Sequence, residues 1–264
     1  MVRELVPDGL WERVAPLLPV PKKKKHGRGR PRVDDRAALE AIVFVLKTGI
    51  PWEMLPTKQF GLSGMTAWRR AEEWIRAGVF EHLQRELLNE LGQRGQVDMR
   101  RAAIDSSTVR GLKRGALTGK NPTDRAKAGS KHHLLVDAKG QPLSESLTGA
   151  NVHDTHELFA LLDAVPEVKQ PQGRPRHRPG KLHADKAYSS RKNRSGLRQR
   201  GVTARIARPG VESKQRLGRH RWVVERTNAW KNQQRRLRVR DERRDDVHFG
   251  LLVLECCLIL FRRL

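Results

Sequence analysis

The sequence predicts an α/β protein in which an all-helical segment of about 90 residues precedes a region of mixed strands and helices. Three observations carry that expectation. Apolar residues recur at helical spacing up to about residue 91, the period changes after Asp98, and the strands that follow are interleaved with helical runs. The chain has 264 residues, room for one large domain or two modest ones, and its 54 Lys+Arg against 29 Asp+Glu leave a net charge of +25. So large an excess works against the compact state at every step, and a polyanionic partner, DNA or RNA, is the compensation it points to.

Residues 8–18, DGLWERVAPLL, place Leu10, Val14, Leu17 and Leu18 on one face of a helix that Pro19 ends. Residues 20–33 are basic, lack apolar periodicity and contain Pro and Gly, the mark of a solvated linker. Asp34 or Asp35 caps the next helix, with Leu39, Ile42, Val43 and Leu46 inward and a stop at Thr48-Gly49. A short turn over 52–55 precedes a third helix over 65–77, with Trp68, Ala71 and Ile75 inward, and a fourth over 79–91. The last two are spaced like a helix-turn-helix, which makes 65–77 the recognition helix and Thr66, Arg69 and Arg70 its major-groove side chains. Glu72 and Glu73 follow directly, so an ordinary solvated helix is the equal alternative.

From Asp98 the segment RRAAIDSSTVRG reads as a strand, and HHLLVDAKGQPLSESLTGA as a hairpin turning at 138–141. Then come a helix over 154–165, a strand over 181–187, a helix over 193–200, a strand over 202–207, and two final helices over 219–237 and 247–263. Strand, strand, strand, helix, strand, helix, strand, helix, helix suits an RNase H-like α/β domain. The expected division is therefore a helical DNA-binding domain over 1–95 and an RNase H-like catalytic domain over 96–264.

Three acids are placed to converge: Asp105 in the middle of the first strand, Asp185 in the fourth, and Glu225 on a late helix. Hard carboxylate oxygens in such a set suit two Mg²⁺ ions about 3.5–4 Å apart, with Mn²⁺ as the alternative. One ion activates a water or 3′-hydroxyl and the other stabilises the departing oxygen.

Four segments carry a family resemblance over nearly the whole chain. They are LWERVAPLLP with GRPRVDDRAALEAIVFVLKTGIPWEMLP, the strand AIDSSTVRG, the hairpin TDRAKAGSKHHLLVDAKGQPLSESLTGANVHD, and LHADKAYSS with RWVVERTNAWKNQQRRL. In these the sequence resembles the DDE transposases of bacterial insertion sequences, in particular the insertion-sequence-five group. The resemblance puts the family's three catalytic, metal-binding acids on Asp105, Asp185 and Glu225. Arg221 stands one helical turn before the third. Ala187, Asn228 and Lys231 depart from the glycine, the aromatic and the apolar residue usual there.

The resemblance implies an enzyme that binds an element's terminal inverted repeats as double-stranded DNA, hydrolyses the end phosphodiester and joins the 3′-hydroxyl to target DNA. A homodimer on DNA is implied, since two ends must be held together. The rival readings are a metal-dependent nuclease of the same fold that does not join strands, and an inactive DNA-binding descendant of a transposase.

Residues 191–244 contain 19 Lys or Arg and four acids, a net +15, which favours a phosphate-tracking surface around the acids. Lys186, Tyr188, Arg221 and Lys231 flank the acids and either hold phosphates or are ordinary surface residues. Arg28, Arg30 and Arg32 lie in an RGRPR run that is either a minor-groove reader or plain linker. Asp137 beside the hairpin turn reads as structural and Asp154 as a helix N-cap, while His183 is either a packing residue or a contact beside the acids. Zinc is not expected, because no cysteine lies near the histidines and His153 with His156 gives two ligands. The longest apolar run, 251–261, is too short to span a membrane and contains Glu255. With adjacent Cys256 and Cys257 read as core and no signal-peptide pattern at the N-terminus, a reducing bacterial cytoplasm, on the nucleoid, is the expected setting.

Overall fold

The computed structural model describes residues 4–21, 31–208, 210 and 220–264. Its N-terminal part is helical: α1 (Asp8–Val14), α2 (Asp35–Thr48), the single turn α3 (Thr57–Phe60), α4 (Gly64–Arg76) and α5 (Val79–Gln93). The carboxylate of Asp34 accepts the Ala37 N–H at 2.8 Å and so starts α2, which ends at Gly49, where φ of +71° suits a residue without Cβ. Ser63 caps α4 by accepting from the Thr66 N–H at 3.3 Å. Gly64 then passes so close to the Trp52 carbonyl that any side chain there would collide with it.

The sheet contains β1 (Ala102–Gly111), β2 (Gly119–Lys120), β3 (Ala128–Asp137), β4 (Pro142–Gly149), β5 (Lys181–Ala184), β6 (Thr203–Ile206) and β7 (Val239–Arg240). Its long axis runs β4–β3–β1–β5–β6, with the first three strands antiparallel and β5 and β6 parallel to β1. That is an RNase H-like arrangement, as the element order predicted. β2 pairs only with 128–129, and β7 extends the sheet beside Arg110 and Gly111. The β3–β4 turn is built on Asp137, whose carboxylate accepts the N–H groups of Asp98, Lys139 and Gln141, each at 2.8 Å, while Gly140 takes φ of +83°.

The helices of this part are α6 (Leu158–Asp163), α7 (Arg191–Gln199), α8 (Trp222–Lys231), α9 (Arg235–Arg238) and α10 (Asp245–Phe261). Alternation along β1 sends Ala102 and Ile104 into the larger core, while Ala103 packs with Leu134 and Val136 against Val223 and Val224 of α8. Asp105 shares the parity of Ala103, so the strand turns it toward the face that α8 covers.

The boundary expected at 95/96 falls between α5 and β1, but one apolar cluster crosses it, running from Val6 and Leu10 through Leu83 and Leu87 to Leu251 and Leu260. The reason is α10, which is buried all round and packs on α5, α4 and β4. Removing 1–95 would strip that helix of its cover.

Two expectations about elements change. The helix predicted over 219–237 is two helices, because Gln234 takes an extended ψ of 110° and the chain turns, which brings Arg236 back onto the carbonyls of Gly49 and Ile50 at 3.4 and 3.1 Å. Asp154 is not an N-cap: His153 Nδ1 accepts the Thr155 N–H at 3.3 Å, and Asp154 pairs with Lys131 at 2.8 Å.

Glu255 is buried on α10 with Arg262 at 3.8 Å, and burial raises its carboxyl from the ordinary 4.5 to about 7. The folded chain therefore binds this proton more tightly than the unfolded chain, so its contribution to stability declines as pH rises from about 4.5 to about 7. In Glu255→Gln that loss is absent. The difference in Tm between variant and wild type should move in the variant's favour across this window and be level on either side, as measured by thermal unfolding in a pH series.

Candidate active site

Three elements meet at the predicted acids: the middle of β1, the end of β5 and the first turn of α8. Asp105 is mostly buried, opposite Leu134 in the ladder. Its carboxyl is raised to about 6, first by burial. The Arg221 guanidinium pulls it down, while Asp185 and Glu225 push it up. Each of the other two acids is therefore within electrostatic reach of Asp105. Asp185 directly follows Ala184, and its Oδ1 accepts the Ala187 N–H at 2.9 Å, which sets the turn Lys186–Tyr188 and fixes the carboxylate at the strand's end. Glu225 is exposed on the open side of α8. Among the described residues no three His, Cys, Asp or Glu side chains stand at metal-holding distance from one another, so the acids form a facing set and not a closed cage.

Arg221 precedes α8, and one of its terminal nitrogens is 3.6 Å from Asp105 Oδ1. It thus faces the first acid as well as preceding the third by one turn. Lys186 is half-buried beside Asp185.

Three residues predicted to touch DNA are buried instead. Tyr188 is 1% exposed in the core, where burial raises its phenol well above the usual range. Lys231 is fully buried; its Nζ donates to Ser107 Oγ and to His132 Nδ1 at 2.9 Å, and burial lowers it to about 7. Arg70 turns into the helical core, paired with Asp35 and, at 3.5 Å, with Glu73. Burial withdraws all three side chains from the surface, and Arg70 is paired with acids as well. Arg32 donates to both Glu73 oxygens at 3.1 Å and to Asp35 at 3.3 Å, so acids also occupy its guanidinium. Arg28 and Arg30 lie outside the described residues. On α4, Arg69 is exposed, and the Thr66 hydroxyl is 3.0 Å from that of Ser63.

Sequence reading missed the polar chain behind the acids. His132 Nε2 is 2.8 Å from His248 Nε2, and His248 Nδ1 is 3.4 Å from Glu242, which Arg236 Nε binds at 2.7 Å. Burial lowers both imidazoles, so they are neutral, and with Lys231 donating to Nδ1 the His132 Nε2–H points at His248. The one available signal was the pair His132-His133 directly before the apolar run Leu134–Val136.

Residues 97–261 match the family described as "Transposase DDE domain", and residues 6–84 match "Putative transposase of IS4/5 family". The chain belongs to the DDE transposase family. All three acids lie in the first match, and α1 to α4 with the first turns of α5 in the second. This transposase is 50% identical over 147 residues to the "Putative transposase for insertion sequence element IS402" of Burkholderia cepacia, covering 56% of this chain and 70% of that one. It is 43% identical over 123 residues to the "Insertion element IS402 uncharacterized 16.2 kDa protein" of the same organism, covering 46% and 84%. A distant overlap with the crystal structure of the Mos1 strand transfer complex, 12% identical, covers 90% of this chain and 81% of that one with a TM-score of 0.29. Among the described residues no helix is long and apolar enough to cross a membrane.

Proposed function

We propose that this transposase binds the terminal inverted repeats of a bacterial insertion sequence, hydrolyses a phosphodiester bond at each end and joins the freed 3′-hydroxyls to target DNA. The observation that carries the reading is the facing set of Asp105 on β1, Asp185 at the end of β5 and Glu225 on α8, the last two both within electrostatic reach of Asp105. These hard oxygen donors fit Mg²⁺ or Mn²⁺, two per site. When bound, such ions stabilise charge on the phosphoryl oxygens and activate the attacking water or hydroxyl. The chain's own residues orient the site: the Ala187 N–H holds Asp185, and Arg221 faces Asp105. No covalent protein intermediate is required, so no Ser, Tyr or Cys nucleophile is assigned.

Residues 1–95 would supply end recognition, with Arg69 and Thr66 of α4 toward the major groove, and 96–264 the chemistry. A homodimer would hold two ends together, in the bacterial cytoplasm on the nucleoid.

Arg221 serves here as a bidentate cation between Asp105 and a DNA phosphate, a geometry that lysine does not reproduce. Arg221→Lys should lower cleavage and joining well below wild type while Tm stays nearly constant; full activity, or loss of the fold before DNA is added, would contradict this role. The whole reading is tested with purified protein, labelled element ends, target DNA and Mg²⁺ on a denaturing gel. Joined product supports it, cleavage without joining makes the protein a nuclease, and metal-independent binding without cleavage makes it an inactive descendant.

A further inference from the structure

A cavity of about 320 Å³ opens at the carboxyl ends of the parallel strands β5 and β6, beside the acids. Its polar lining is His183, Arg194, Arg205, Arg208, His220 and Arg221, and among the described residues no Asp or Glu lines it. A second cavity shares Arg194, Ala204 and Arg208 with the first and adds Arg198, so a basic trough follows the edge strand β6. Arg221 faces Asp105 at 3.6 Å as well, and the four guanidinium groups together give this concave wall an excess of positive charge that suits an anion.

Several details shape the cavity for an oxyanion. Arg194 is held in place by donating to the Ile206 carbonyl at 2.8 Å. The Arg221 Nε is buried and has no hydrogen-bond partner among the described residues. His183 lines the same wall, its ring centroid 4.9 Å from that of His220. Guanidinium forks match the oxygens of a phosphate in pairs.

The position of the cavity identifies which phosphate. β5 ends at Ala184, immediately before Asp185, and β6 lies one strand further from Asp105, a step of about 4.8 Å. A DNA strand with its scissile phosphate at Asp105 and Asp185 would carry a neighbouring phosphate over the trough. We propose that this cavity is a second phosphate site, which takes a non-scissile backbone phosphate of the DNA strand held at the carboxylates. The proposal rests on the reading of the chain as an end-cleaving transposase.

The test pairs one variant with single neutral phosphates. Arg205 is exposed on β6, so Arg205→Gln is expected to keep the wild-type Tm. Element-end oligonucleotides, each with one methylphosphonate linkage at a different position, are titrated against wild type and variant. With wild type, one linkage beside the scissile bond should weaken binding by about tenfold when neutralised. Arg205→Gln should bind the fully charged end about tenfold more weakly and show no further loss when that same linkage is neutral. If the variant keeps the full penalty at every linkage while wild type cleaves the ends normally, the phosphate site is wrong and the transposase reading stands. Wild type that neither binds nor cleaves the ends overturns both.

Discussion

DNA cleavage by Asp105→Asn, Asp185→Asn and Glu225→Gln is each expected to fall by about a thousandfold or more, while binding of element ends stays near wild type. The substitutions keep size and one accepting oxygen and replace one anionic oxygen of the facing set by a donating amide group. The loss therefore falls on metal binding and chemistry and leaves DNA docking alone. In Asp105→Asn the Arg221 guanidinium, 3.6 Å away, also loses its carboxylate partner, so this variant should show the largest change in stability of the three. Thermal unfolding separates that effect from the chemical one. Single-turnover cleavage and filter binding, run side by side, decide the matter: near-normal cleavage by any one variant removes that residue from the assignment.

Arg236→Ala is expected to destabilise the protein by about 3–5 kcal/mol, seen as a lower urea midpoint. Arg236 is 4% exposed and joins four partners: Glu242 at 2.7 Å, Asp241 at 3.1 Å, and the carbonyls of Ile50 and Gly49. Burial alone would raise Glu242, but His248 and Arg236 hold its carboxyl at about 2. Without the guanidinium a charged carboxylate remains buried beside the His248 imidazole, and the carbonyls of Gly49 and Ile50, just past the end of α2, lose their donor. Adding Glu242→Gln to Arg236→Ala should recover part of the loss, since the stranded charge is then gone. Equal midpoints for wild type and Arg236→Ala would show that this contact contributes nothing to joining the helical part to the sheet.

The identity of the elements was legible because it depends on local spacing. Four or more apolar positions at helical period mark α2 and α5, and Asp34 and Gly49 bound α2 by backbone chemistry that acts within four residues. Strand parity is equally local. Asp105 follows Ala103 by two residues, so both point to the same side whatever the rest of the chain does. The order of strands and helices then limited the fold to an RNase H-like sheet, and the acids could be placed on its facing elements before any distance was known.

Lys231, Tyr188 and Arg70 show where that reasoning ends. In sequence, Lys231 is one more basic residue on a basic helix. Its burial depends on Ser107 and His132, 124 and 99 residues away, which supply the hydrogen bonds that let an amine leave water. Arg70 turns inward because Asp35, on another helix, is there to meet it. The shared core arose in the same way: α10 is apolar on every side, but only the packed structure shows that α5 covers one of those sides. The sequence by itself determined what each segment is and which acids share a face, since backbone geometry repeats over a few residues. Only the tertiary structure decided which charged side chains are buried, because that depends on partners that distant segments bring.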